Sequence, residues 1–146
     1  MNGETRGSGQ LNRVQVRRAG PSGSLISLCQ PGPRQTCVVD GDTFWLQGEK
    51  VRIADINAPE THQAGCPAEQ ALGDAATRRL IVLLNQGPFE LTAEGRERDK
   101  YGRLLRIASR HGRSLGAQLV AEGLAEPWRG RRSDWCQLLA GESAAR

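Results

Sequence analysis

Between Cys37 and Ile56 the chain alternates short runs of β-branched and aromatic residues with tight polar turns, which restricts this region to a meander of strands. Cys37-Val38-Val39 reads as one strand, and Thr43-Phe44-Trp45-Leu46 as its return. Asp40-Gly41 reads as the hairpin turn between them, because a positive φ is cheap at Gly and tolerable at Asp. Gln47-Gly48-Glu49 makes the next turn. A third strand is expected from Lys50 to Ile56, with Val51 and Ile53 on one face and Arg52 on the other.

The rest of the chain adds helices and two more strands. Pro67 suits the first position of a helix, and Glu69 its positive end. Leu72, Ala76, Leu80, Leu83 and Leu84 form its apolar stripe, and Gly87-Pro88 stops it. Phe89 to Ala93 and Leu104 to Ser109 read as strands flanking a charged loop, Glu94 to Arg103. Ser114 can cap a short helix carrying Leu115, Leu119 and Val120 and ending at Gly123. Arg132 to Leu139 reads as a last short helix. The order predicts an α+β, mainly β fold: a small closed five-stranded barrel of the OB type with two to three helices.

Length and charge divide the chain in two. At 146 residues it has room for one domain and a tail. Residues 1–34 are rich in Gly, Ser, Arg and Pro and read as a mostly disordered basic tail, with a short edge segment at Leu25–Cys29; residues 35–146 form the domain. The tail carries Arg6, Arg13, Arg17, Arg18 and Arg34 against Glu4 alone, which accounts for the net charge of +4. The domain is therefore neutral overall, and any nucleic-acid surface on it must be a local cluster. The four cysteines, at 29, 37, 66 and 136, contain no Cys-x-x-Cys pair and do not suggest a zinc knuckle. Cys66–Cys136 could join the chain end to the first helix, but four reduced thiols are the preferred expectation. No apolar run is long enough for a membrane span, and residues 1–30 lack the apolar stretch of a signal peptide. The chain reads as soluble, and its compartment is left open.

Several residues carry chemistry. Asp42, just past a turn, has a carboxylate of fixed direction such as hard divalent cations select, although on its own Asp-Gly-Asp-Thr reads first as plain hairpin chemistry. Arg52 on an otherwise apolar strand needs an anion, either a phosphate or a structural partner in Asp42 or Glu60. Glu60 follows the rigid Pro59 and can act as a base toward water. In Arg98-Asp99-Lys100-Tyr101-Gly102-Arg103 an aromatic and a planar cation meet at the mouth of a strand, suited to a nucleotide.

Taken together, Asp40-Gly41-Asp42-Thr43, Val51-Arg52-Ile53, Ala58-Pro59-Glu60 and Asp99-Lys100-Tyr101-Gly102-Arg103 resemble the thermonuclease (staphylococcal nuclease) family in order and approximate spacing. The resemblance covers about Gln35 to Trp128. It implies an OB-fold, Ca2+-dependent nuclease that hydrolyses DNA and RNA to 3′-phosphate products. It assigns calcium ligation to Asp42 and the Ala58 carbonyl, water activation to Glu60, phosphate clamping to Arg52 and Arg103, and nucleotide contacts to Lys100 and Tyr101. The family's second calcium-ligating Asp falls on Asn57, which can coordinate but brings no charge. Asp55 could help, although it lies a strand step away. The loop after Glu60 is short and lacks the family's rim lysines; His62 could replace them, although an ordinary loop histidine is the preferred reading. The pocket tyrosine has no clear match, with Trp128 or Arg129 near its position. The Arg129, Arg131, Arg132 cluster is the candidate basic patch.

Two readings follow. The first is an active, monomeric nuclease acting on single-stranded or frayed DNA and RNA, with no membrane partner. In it, Arg52→Ala or Glu60→Ala is expected to abolish cleavage with the fold intact, and Asn57→Asp to tighten calcium. The alternative is a catalytically weakened module that binds nucleic acid or protein without hydrolysis.

Overall fold

The computed structural model describes residues 13–16 and 25–144. Strand β2 (Cys37–Asp40) pairs antiparallel with β3 (Thr43–Leu46), and β3 with β4 (Glu49–Ile53), as the meander requires. The β3–β4 turn uses positive φ at Gln47 (52°) and Gly48 (83°). The β2–β3 turn does not work that way: Gly41 does not have a positive φ. A Cβ there would lie 2.8 Å from the Cβ atoms of both Ala58 and Ala76, so the glycine is required for close approach rather than for turn geometry.

The expected third strand stops at Ile53. The chain turns at Ala54-Asp55 and restarts as β5 (Ile56–Asn57), which pairs with β9 (Glu126–Pro127) in a separate two-stranded sheet. Helix α1 (Pro67–Asn85) follows, with Pro67 in its first turn. Its buried face runs through Gly73, Ala76, Thr77, Leu80, Leu83 and Leu84. At its C-terminal end the Arg110 guanidinium donates to the carbonyls of Leu83, Gly87 and Pro88, supplying partners that the helix cannot supply itself.

Strand β6 (Phe89–Arg98) is longer than expected, covering half of what read as a charged loop. It pairs antiparallel with β7 (Leu104–Arg110), with a register shift between Ala93 and Arg98. Strand β7 also pairs in parallel with β4, closing the order β6-β7-β4-β3-β2. β8 (Arg113–Ser114) leads into α2 (Leu115–Ala121), where Ser114 Oγ accepts from Ala117 N as an N-cap. Helix α3 (Trp135–Ala144) starts three residues later than expected. The result is a mainly β, α+β half-barrel of OB type with three helices among the described residues. Val38, Phe44, Val51, Ile53, Leu80, Leu91 and Leu104 lie at its centre. Phe44 and Phe89 meet edge to face at 6.4 Å between centroids.

Two further expectations change. Within the first 34 residues, β1 (Arg13–Val16) adds to the free edge of β6 where disorder was expected, while the edge segment expected at Leu25–Cys29 is present, with Leu28 bridged to Val38 and Ile26 buried. The Asn85 amide clamps Ile26 by accepting from its N–H and donating to its carbonyl. The intervening residues expected to be disordered lie outside the described ones. The cysteines are not reduced: Cys29 pairs with Cys37 and Cys66 with Cys136. The sequence preference for thiols rested on the lack of a secretion signal, which does not report on distances between cysteines. No described helix is long and apolar enough to cross a membrane.

Candidate active site

The site is built from the ends of β2 and β4, the loop before α1, the β6–β7 turn and the segment after β9. Asp42 is buried. Its Oδ2 accepts from Ala58 N at 2.8 Å and lies 3.6 Å from Arg52 Nη1, while its Oδ1 accepts from Thr43 Oγ1 at 3.0 Å. Arg52 is 5% exposed, yet lines a cleft of about 800 Å3. Its Nη1 donates to the carbonyls of Ile53 (2.5 Å) and Ile56 (2.9 Å), so the turn between β4 and β5 grips the guanidinium. Its Nε and Nη2 make no hydrogen bond among the described residues. The Trp128 ring stacks on it at 5.5 Å.

Glu60, Lys100, Tyr101, Arg103 and Arg132 line the same cleft as Arg52. The Glu60 carboxylate is ion-paired with Arg132. Its backbone N–H donates to Glu69 Oε2 at 3.0 Å, and Glu69 Oε1 takes Gly65 N at 2.9 Å. Buried Glu69, expected only to complement the helix dipole, is thus what ties the Glu60 loop to α1. Arg103 is held by Asp99: Nε donates to Oδ2 at 2.6 Å and the backbone N–H to Oδ1 at 2.9 Å. Burial raises the Asp99 carboxyl, but the bonds and charge of Arg103 and the Tyr101 N–H outweigh it and hold it below its ordinary value. The Tyr101 ring is 68% exposed and lies 5.2 Å from the Arg103 guanidinium.

Behind the cleft lies Asn57, 1% exposed. Its Nδ2 donates to Glu126 Oε2 at 2.8 Å, and its Oδ1 is buried without a partner among the described residues. Such an orphaned acceptor costs about 1–3 kcal/mol. Asp40, which the sequence reading used only as a turn residue, has its carboxyl pushed up to about 8 by burial, with the charges of Asp42 and Glu60 adding to the effect. The hint was there in the spacing, because Asp40-Gly41-Asp42 puts two carboxylates beside one turn. Among the described residues no three Asp, Glu, His or Cys side chains converge into a ready metal cage. The donor set still fits a hard cation: two carboxylates that crowd each other and a buried neutral oxygen with nothing to accept from.

The remaining candidates fall elsewhere. Asp55 faces α2: its Oδ2 accepts from Ser114 Oγ at 2.6 Å, and its Oδ1, buried without a partner among the described residues, lies against Gly116 of that helix. Gln63, not His62, reaches the cleft wall. Trp128 lines the cleft and Arg129 does not; of the arginine cluster only Arg132 does. Lys50 and Arg96, which carried no motif, add two further cations to the wall. The cleft is the local basic surface that a neutral domain needs to meet a polyanion.

A family model of staphylococcal nuclease homologues matches residues 50–146, two thirds of the chain. The chain belongs to the staphylococcal nuclease family. Among its curated relatives is endonuclease YncB of Bacillus subtilis (strain 168), 38% identical over 92 residues, which are 60% of this chain and 43% of YncB. Protein ParB of Escherichia coli is 34% identical over 125 residues, 75% of this chain and 64% of ParB. The thermonuclease of Staphylococcus intermedius is 33% identical over 92 residues, 60% of this chain and 54% of that enzyme. The chain thus spans less than half the length of YncB.

Proposed function

We propose that this protein is a Ca2+-dependent phosphodiesterase that cleaves single-stranded or frayed DNA and RNA to 3′-phosphate products. The observation that carries the reading is Arg52: a buried guanidinium anchored through one nitrogen, with its other donors left for the cleft. A structural salt bridge alone does not require that cleft, nor a second fixed guanidinium at Arg103, nor a carboxylate at Glu60 on the same wall.

In this reading the phosphate sits between Arg52 and Arg103, whose forks match its oxygens and strengthen as charge builds at phosphorus. Arg132 exchanges its partner Glu60 for substrate phosphate, which frees the carboxylate. Glu60 then takes a proton from a water whose oxygen attacks phosphorus in line. The bond to the 5′ oxygen breaks, that oxygen leaves as a hydroxyl after taking a proton from solvent, Glu60 returns its own proton to solvent, and the phosphate stays on the 3′ side. Tyr101 offers a face to a base or sugar, and Lys100 a cation to a neighbouring phosphate. Asp42, the Asn57 oxygen and the Ala58 carbonyl, with Asp40 beside them, would hold Ca2+. The cation would supply positive charge that polarises the phosphate.

A second reading is favoured by one observation. Asn57 gives the cation site an amide where a carboxylate would bind more strongly, which suits a module that binds without hydrolysis. Digestion of single-stranded DNA by the wild type and by Glu60→Ala, each with Ca2+ and with EDTA, separates the two. Cleavage that needs both Ca2+ and Glu60 supports the enzyme. Binding with no cleavage under any condition supports the module, and cleavage indifferent to Glu60 overturns the assigned base.

A further inference from the structure

Glu126 belongs to none of the motifs that mark the site, yet it touches the site from behind. The β5–β9 pairing sets it opposite Asn57. Its Oε2 accepts from Asn57 Nδ2 at 2.8 Å and from Ser133 N at 3.1 Å, and its Oε1 accepts from Ser133 Oγ at 2.5 Å. A carboxylate can only accept. A primary amide beside it must therefore present its NH2 group and leave its oxygen on the other side. Without Glu126 the Asn57 amide could flip and offer hydrogens where it now offers a lone pair. The Asn57 oxygen is buried and without a donor among the described residues, the state expected of an atom kept for a cation.

We propose that Glu126 is a positioning residue that locks the Asn57 amide so that its oxygen, not its NH2 group, is offered to the cation. The inference rests on the calcium reading above and deepens it. It also changes what residue 57 can be. An aspartate there would face Glu126 across 2.8 Å, where the two carboxylates repel or take up a proton between them, and either outcome offsets the charge the substitution adds. Asn57 and Glu126 form a matched pair, and Asn57→Asp alone gains less affinity than an added ligand charge implies. The tightening of calcium that the sequence leads one to expect of this substitution is thus realised in full only when residue 126 changes with it.

Calcium binding to the full chain, followed by titration calorimetry and by Tb3+ luminescence, tests this without reference to turnover. Glu126→Ala should weaken binding about tenfold or more, the size seen when a ligand's outer partner is lost. Glu126→Gln keeps an oxygen for Asn57 and should stay near wild type. Ser133→Ala removes only the Oγ bond, leaves the backbone N–H bond to Glu126, and should change nothing. In a double-mutant cycle, Asn57→Asp should gain about tenfold more affinity when combined with Glu126→Gln than when made beside the native Glu126. Equal gains in the two backgrounds overturn the proposal, as does a folded Glu126→Ala protein with wild-type affinity. The cycle decides the matter even where Glu126→Ala fails to fold. Equal gains together with Ca2+-dependent cleavage sink the role of Glu126 alone. A wild type that binds no calcium overturns both this role and the calcium reading.

Discussion

The Arg52 guanidinium gives one nitrogen to the fold and the remainder to the cleft, and its neighbours make the two uses inseparable. Truncating it leaves buried Asp42 without its cation and takes a donor from the carbonyls of Ile53 and Ile56. Breaking a buried pair in this way costs about 3–5 kcal/mol. Arg52→Ala is therefore expected to lose both activity and stability, contrary to the sequence expectation of an intact fold. Arg103 differs: its partner Asp99 also accepts from the backbone N–H groups of Tyr101 and Arg103, so an alanine at 103 leaves that carboxylate with donors. Arg103→Ala should lower turnover about 10²–10³-fold, the usual effect of losing one preorganised donor, with the fold intact. Urea denaturation alongside turnover for the two variants checks the contrast, and equal stability losses would refute it. The sequence showed Arg52 clearly, because a charge amid apolar residues needs an anion. It could not show that the anion is an internal carboxylate with donors still spare. Glu126 was likewise illegible, since only the β5–β9 pairing brings it beside Asn57.

At the scale of elements, the Glu60 loop is placed by the face of α1 that packs beneath it. Gly73 sits so close that a Cβ would come within 2.5 Å of the Glu60 carbonyl oxygen and 2.9 Å of that of Pro59. Both are backbone atoms, so no side chain can swing away. On helix propensity alone, Gly73→Ala should stabilise by about 1 kcal/mol. Packing reverses the sign: we expect a loss of about 1–3 kcal/mol, as for overpacked cores. Displacing the Glu60 backbone by about 1 Å should also cost about 10²-fold in turnover. Thermal melts and turnover of the purified variant measure both, and a raised melting temperature with normal turnover would refute the argument. Hydrophobic spacing located α1 and its stripe but was blind to residue 73, because a glycine gives no apolar signal. Strand β6 went unread beyond Ala93 for a related reason. Past the register shift its residues Glu94, Gly95 and Arg96 are exposed, so the two-residue alternation that reveals a half-buried strand is gone.

Across the whole molecule, the segment after β9 closes the cleft, and the Cys66–Cys136 disulfide fixes it to the start of α1. The Cys136 sulfur lies 3.6 Å from Glu69 Oε1, so the crosslink adjoins the carboxylate that holds the Glu60 loop. Glu60 is in turn paired with Arg132, four residues before the bonded Cys136. The sequence placed the local basic patch at Arg129, Arg131 and Arg132, of which only Arg132 reaches the cleft; the other cations come from β4, β6 and the β6–β7 turn, which only the fold brings together. The two disulfides should therefore differ in kind. Cys66–Cys136 spans 70 residues and, on loop entropy, should contribute about 4 kcal/mol; Cys29–Cys37 spans 8 and should contribute about 2–3 kcal/mol. Loss of the longer bridge frees α3 and the Arg132 segment, so Cys66→Ser/Cys136→Ser should lower turnover as well as stability. Cys29→Ser/Cys37→Ser lies at the far edge of β2 and should lower stability with turnover kept at temperatures where the protein is folded. Denaturation midpoints and turnover of the two double variants test this together. Loss of turnover in the Cys29–Cys37 variant, or full turnover without Cys66–Cys136, would mean that the C-terminal segment does not shape the cleft through this bridge.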